Sequence, residues 1–299
     1  MYRITSDLVR RYNSVAMPRL RLVPASEDAP LFVVGSGRSG NTLVRRILMA
    51  SGQIYIPPET YVLGELIELW PRTVMLSWRE RVWLFCAQFE KHEHWPTFGL
   101  PNLDEFATEA QQLRPRRLRP LIEAFYLYLA RKSGSGAQRW GDKTPWNTYH
   151  LPSIAQRFAD ARYLWLVRDG RDVALSYRDS GLIGSFEGAA RRWGDANASC
   201  ARLARWSPNV LQMRYEDLVA DPETAFGKVF DWARLDFDPA MLSTSVGPMG
   251  DVERLKHHAS VAGAISTSSI GKWRNTVSER ELAAAPANFN HWLSSLGYA

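Results

Sequence analysis

Two short stretches of the chain carry residue types suited to gripping anions. The first is Gly35-Ser36-Gly37-Arg38-Ser39-Gly40-Asn41-Thr42. Glycines let a backbone fold so that several N–H groups converge on one anion, and a helix that follows adds the positive end of its dipole. Against the nucleoside-triphosphate motif G-x-x-x-x-G-K-[ST], Gly35, Gly40 and Thr42 match, but Asn41 stands where the lysine belongs. That lysine neutralises the terminal phosphates, so its loss argues against ATP or GTP hydrolysis. The basic group sits inside the loop instead, at Arg38. The second stretch runs from Arg168 to Ser176, eight residues on, about two helical turns. An arginine with a hydroxyl suits a phosphate monoester. The bland alternatives are a ligand-free Gly-Ser turn for the first stretch and a surface ion pair at Arg168 for the second.

Both stretches need elements to hold them. Leu31–Val34 is a short apolar run stopped by glycine, the pattern of a buried parallel strand. Thr42–Ala50 follows as a helix ended by Ser51-Gly52. Helices are expected over Tyr61–Leu69, Ser77–Glu93, Asn102–Leu113 and Pro120–Lys132. Strand character returns at Arg162–Val167, with a helix over Asp172–Asp179, and at Val210–Tyr215, with a helix over Glu223–Leu235. The last stretch, Ser278–Leu296, reads as helix broken at Pro286. Strand–helix units at both ends with helices between them give an α/β fold, a P-loop-type parallel sheet flanked by helices, with a helical cap inserted after the first βα unit. The expected organisation is one domain over residues 1–299, with 1–30 as an N-terminal arm and about 70–135 as a helical insertion.

Lysine and arginine total 37 against 31 acidic residues, a net charge of +6. That balance suits an anionic ligand. The absence of a long basic run or an RNA-binding signature argues against nucleic acid. Cys86 and Cys200 form neither a disulfide framework nor a metal-ligand pattern, so buried free thiols, no metal and a reducing cytoplasm are expected. The first 23 residues lack the apolar core of a signal peptide, and no stretch is long and apolar enough for a transmembrane segment. Most of the twelve tryptophans are expected in the core.

Taken together, the two anion stretches resemble those of the sulfotransferase family that uses 3'-phosphoadenosine 5'-phosphosulfate (PAPS), above all its tyrosylprotein-sulfotransferase-like branch and bacterial relatives. Gly37-Arg38-Ser39-Gly40-Asn41-Thr42-Leu43 is similar to the 5'-phosphosulfate loop, which commonly has Thr where Asn41 stands. Arg168 and Ser176 resemble the 3'-phosphate pair. Pro58-Glu59-Thr60 resembles an acidic segment whose glutamate serves as base. Gly141-Asp142-Lys143-Thr144-Pro145 resembles the segment whose lysine contacts the sulfuryl group. Arg214-Tyr215-Glu216-Asp217-Leu218 resembles a motif whose tyrosine lies near the adenine, and Ser269-Ile270-Gly271-Lys272-Trp273-Arg274 an element that closes over the nucleotide. The resemblance covers roughly residues 31–280.

It implies in-line sulfuryl transfer from PAPS to a hydroxyl or amine, releasing adenosine 3',5'-bisphosphate. The migrating group carries one negative charge, so side chains can replace magnesium in a loose transition state. Arg38 and Lys143 are then the electrophilic groups and Glu59 the base, although a carboxylate is a weak base at neutral pH unless its site raises its pKa. From the residues alone, Glu59 also reads as a helix cap, Lys143 as the partner of Asp142 and Tyr215 as a packing residue. His92 and His94 are reserve bases, since other branches use histidine. Ser260, after His257-His258, is a further candidate for a sulfuryl contact. A P-loop kinase or NTPase and a non-catalytic nucleotide-binding relative are the competing readings. A small-molecule, carbohydrate or lipid acceptor is expected, and a Golgi-type protein substrate is not.

Overall fold

A computed structural model describes residues 23–244, 249–250 and 265–299. Its centre is a five-stranded parallel sheet: β1 (Leu31–Gly35), β2 (Ile54–Tyr55), β3 (Arg139–Asp142), β4 (Arg162–Val167) and β5 (Val210–Arg214), in the order β2-β3-β1-β4-β5. The chain leaves β1 for one side of the sheet, visits β2 and β3, then crosses to β4 and β5. The loop after β1 therefore stands where the strand order reverses, the usual place for a ligand crevice beyond the strands' carboxyl ends.

The two central strands explain the layers. Every residue of β1 and β4 is buried, and alternate side chains point to opposite faces. Leu31, Val33, Leu164 and Leu166 pack on one face with α1 (Asn41–Ala50), α9 (Tyr215–Ala220) and α10 (Pro222–Ala233). Phe32, Val34, Tyr163, Trp165 and Val167 pack on the other. There they meet α6 (Leu151–Arg157), α7 (Gly170–Asp179), α8 (Phe186–Trp206) and α12 (Ala287–Ser295). The same core continues into the cap: α2 (Leu63–Leu69), α3 (Trp78–Glu90), α4 (Asp104–Gln111) and α5 (Leu118–Lys132). Phe85, Phe89, Phe106 and Phe125 interlock there, with ring centroids 4.4–5.9 Å apart.

Five strands replace the three expected. β2 is only two residues long and lies between the first βα unit and the cap that follows it. β3 carries a glycine and an aspartate, and its strand form is set by pairing with β1, Leu31 opposite Gly141 and Phe32 opposite Asp142. The 21-residue helix α8 was not expected at all. Its N-terminus is capped by Ser185, whose hydroxyl accepts the Gly188 N–H. The C-terminal helix does break at Pro286, into α11 (Glu279–Ala283) and α12. Cys86 and Cys200 are buried free thiols, and burial pushes Cys86 up to about 12.

Candidate functional site

The loop after β1 folds tightly against two tyrosines. Gly40 caps α1 with a left-handed backbone, φ 91°, and a Cβ there would stand 2.5 Å from Cδ2 of Tyr215. A Cβ at Gly37 would stand 2.3 Å from the Tyr177 hydroxyl. Both positions exclude a side chain. α1 opens at Asn41, so the N–H groups of Asn41, Thr42 and Leu43 belong to the first turn, which has no intrahelical partners. The Asn41 amide donates to the Ser36 carbonyl at 2.9 Å. It therefore braces the loop where a P-loop lysine would reach out for phosphate. Leu43 packs its side chain on the core and offers the loop only backbone.

Arg38, with φ 66°, brings the two anion stretches together. Its Nε donates to Ser176 Oγ at 3.0 Å, and its carbonyl accepts from Arg168 Nη1 at 2.9 Å. Arg168 is buried and no surface ion pair. Its Nη2 donates to the Ser269 carbonyl at 2.7 Å, and its guanidinium lies 4.7 Å from the Tyr215 ring centroid. Tyr215 in turn shares a hydrogen bond with Ser269 Oγ at 2.7 Å. Burial lowers the Arg38 guanidinium from its ordinary value and Tyr177 opposes it; Arg168 lowers it further and Glu59 raises it. It stays protonated, as arginines do. The two separate anion sites expected from sequence thus share one arginine. The cause is register: β1 and β4 are neighbours, Gly35 opposite Leu166, so the loops that leave them lie side by side.

Glu59 caps no helix and Lys143 does not pair with Asp142: the two form an ion pair with each other. The Lys143 ammonium is fully buried and the Glu59 side chain 11% exposed. Asp142 faces a different set. Its Oδ2 accepts from the Tyr126 hydroxyl at 2.6 Å and from Thr60 Oγ1 at 2.9 Å, and its Oδ1 accepts from Asn147 Nδ2 at 2.7 Å. Thr148, just beyond, donates its hydroxyl to the Gly35 carbonyl at 2.9 Å. Tyr126, Asn147 and Thr148 were not singled out in the sequence; Thr148 meets Gly35 across 113 positions, a contact that only the fold makes. His92 and His94 lie in the cap against Tyr61, at 5.1 and 4.6 Å between ring centroids. Burial, helped by His94, lowers the His92 pKa.

The 265–275 segment straps across α7. The buried Asp172 carboxylate accepts from the Gly271 N–H at 2.7 Å and the Trp273 N–H at 3.0 Å. Arg171 lies 3.9 Å from the Trp273 ring centroid and Arg274 5.0 Å. Lys272 and Arg274 themselves are exposed. Ser260, His257 and His258 fall outside the described residues. Asp172→Ala removes two charge-assisted bonds, each worth about 1.5–3 kcal/mol. Trypsin cleavage after Lys272 and Arg274, followed by mass spectrometry, is expected to quicken at least about tenfold, because such attack tracks the population of the locally opened strap.

A family model described as the sulfotransferase family matches residues 30–239. The chain belongs to that family. The matched region holds every segment above except the strap. Sulfotransferase relatives include the protein-tyrosine sulfotransferase of Drosophila melanogaster, 22% identical over 99% of this chain and 57% of its own length. Protein-tyrosine sulfotransferase 1 of Danio rerio is 24% identical over 91% of this chain and 73% of its own length. The chain thus spans little more than half of the fly protein. The sulfotransferase domain of the Synechococcus PCC 7002 olefin synthase has the same fold, with a TM-score of 0.65 at 23% identity, covering 94% of this chain and 98% of that one. The sulfotransferase domain of the curacin biosynthetic pathway does too, with a TM-score of 0.60 at 21% identity over 93% and 99% of the two chains. Among the described residues no helix is long and apolar enough to cross a membrane, and no group of three or more His, Cys, Asp or Glu could hold a metal ion.

Proposed function

We propose that the chain transfers a sulfuryl group from PAPS to a hydroxyl or amine acceptor and releases adenosine 3',5'-bisphosphate. The observation that carries this reading is the convergence of Arg38, Arg168 and Ser176 beyond the carboxyl ends of β1 and β4. Two donors there support the fit to an anion: Ser39 Oγ and Arg168 Nε are buried with no hydrogen-bond partner among the described residues. Sulfate and phosphate oxygens would satisfy both. In this reading Arg168 and Ser176 hold the ribose 3'-phosphate, and the first-turn amides of α1 with Thr42 hold the 5'-phosphosulfate. Tyr215 flanks the adenine, while Lys272, Trp273 and Arg274 close the nucleotide in. Arg38 reaches both ends and stabilises charge on the departing phosphate oxygen, with Lys143 on the sulfuryl group. Glu59 takes the acceptor's proton as the new S–O bond (S–N for an amine) forms and the S–O bond to the 5'-phosphate breaks.

The test is a thermal-shift comparison. Adenosine 3',5'-bisphosphate without magnesium is expected to raise Tm, and adenosine 5'-phosphate much less. Stabilisation by magnesium-ATP alone would return the kinase reading, which the use of Asn41 as a loop brace already disfavours. The names of the fly and fish relatives, protein-tyrosine sulfotransferases, support a peptide tyrosine as one candidate acceptor. Incubation with labelled PAPS therefore needs a tyrosine-containing peptide beside a cell extract, with sulfated products read by mass.

A further inference from the structure

Glu59 and Lys143 come from segments with no continuous secondary structure between them. Glu59 lies on the loop joining β2 to α2, and Lys143 directly follows β3. Beside the ion pair itself, two hydrogen bonds that join these segments meet on Thr60, the residue after Glu59. The Thr60 N–H donates to Thr144 Oγ1 at 2.9 Å, and Thr60 Oγ1 donates to Asp142 Oδ2 at 2.9 Å. One threonine beside the glutamate thus binds both neighbours of the lysine. Thr60, Asp142 and Thr144 are all buried, so water does not compete for these bonds. Asp142 is fixed in its turn by Tyr126 from α5 and by Asn147. Burial pushes the Asp142 carboxyl up, while the hydrogen bonds from Tyr126, Thr144, Thr60 and Asn147 hold it down. A carboxylate anchored to the cap and to β3 leaves Thr60 little freedom.

We infer that Thr60 is a positioning residue for the transfer: by clasping Asp142 and Thr144 it sets the distance and angle between Glu59 and Lys143. The inference rests on the proposed roles of that pair. Neither bond touches the Arg38, Arg168 and Ser176 cluster, so donor binding should not depend on the clasp. A misplacement of about 1 Å in reacting groups costs up to about 100-fold in rate.

The experiment measures release of adenosine 3',5'-bisphosphate from PAPS, with a tyrosine-containing peptide as acceptor probe, and binding of the same bisphosphate by calorimetry. Thr60→Val keeps the shape and deletes the hydroxyl. It is expected to lower kcat about 10–100-fold, with KM for PAPS and Kd for the bisphosphate unchanged within about twofold. Thr60→Ser, which keeps the hydroxyl, is expected to recover most of the rate. Bisphosphate binding reports that each variant is folded, and Thr60→Ala makes the same deletion should the valine variant not fold. An unchanged kcat, a fall in affinity parallel to kcat, or a serine variant as poor as the valine one overturns the inference. Glu59→Gln in the same assay separates the two readings. If it is inactive while Thr60→Val is fully active, only the clasp is wrong; if it is active, the proposed base is wrong and the clasp falls with it.

Discussion

Arg38→Ala is expected to lower kcat by about 10²–10³-fold, the range for deleting one preorganised donor aimed at developing charge. Of the proposed catalytic residues, Arg38 bridges the two anion stretches: its side-chain Nε donates to Ser176 Oγ, and its main-chain carbonyl, which the substitution keeps, accepts from Arg168. In a loose transition state the departing phosphate oxygen gains charge before the new S–O bond is complete, and a guanidinium held in a buried crevice meets that charge without reorganising. The variant should also bind adenosine 3',5'-bisphosphate less tightly, because Ser176 loses the group that orients its hydroxyl. Arg38→Lys keeps the charge but replaces a planar fork with a point charge, so it should regain binding better than turnover. Steady-state kinetics with PAPS and calorimetry with the bisphosphate measure the two effects apart. A kcat within about threefold of the parent would remove Arg38 from the chemistry, whatever it does for binding.

The parts of this molecule that could be read in advance are those whose cause is local. β1 and β4 are continuous apolar runs because both of their faces are covered, and Leu31–Val34 and Arg162–Val167 announce this without any partner in view. The glycine loop is legible for a similar reason, since Gly37 and Gly40 answer to crowding at their own positions. β3 is different. Arg139-Trp140-Gly141-Asp142 has little strand character of its own and becomes a strand because β1 and β2 pair with it. α8 was hidden by its composition. Gly188, Gly194 and several arginines dilute the apolar stripe of Phe186, Ala189, Ala190, Trp193 and Leu203 that the core selects.

The site divides along the same line. Arg168 and Ser176 could be paired from their spacing, because one strand and the helix after it carry both. That Arg38 would reach Ser176 could not, since it depends on β1 and β4 being neighbours in a given register. The ion pair of Glu59 with Lys143 and the bond from Thr60 to Asp142 join residues more than eighty positions apart, and neither segment alone distinguishes a base from a helix cap. Resemblance to a family supplied those residues. The fold supplies the reason they meet, with β3 placing Lys143 at the carboxyl end of the sheet and the loop after β2 bringing Glu59 against it.

Glu59→Gln should lower kcat by about 10²–10⁴-fold, the usual worth of a positioned general base, while bisphosphate binding holds. The amide keeps the size of the carboxylate and an oxygen for Lys143 but can no longer take a proton from the acceptor. Its effect on stability should be moderate, because the fully buried ammonium still faces an acceptor; an imperfectly satisfied buried group costs about 1–3 kcal/mol. Glu59→Ala is the harsher change. Removing one member of a buried ion pair costs about 3–5 kcal/mol, so this variant should melt several degrees lower as well as lose activity. The two variants therefore separate chemistry from structure: equal losses of turnover with unequal losses of Tm identify the proton acceptor. If turnover instead follows Tm across the pair, with the glutamine variant nearly as active as the parent, Glu59 serves Lys143 only as a counter-ion. The base must then come from elsewhere in the cap, where His92 and His94 stack on Tyr61, two residues from Glu59.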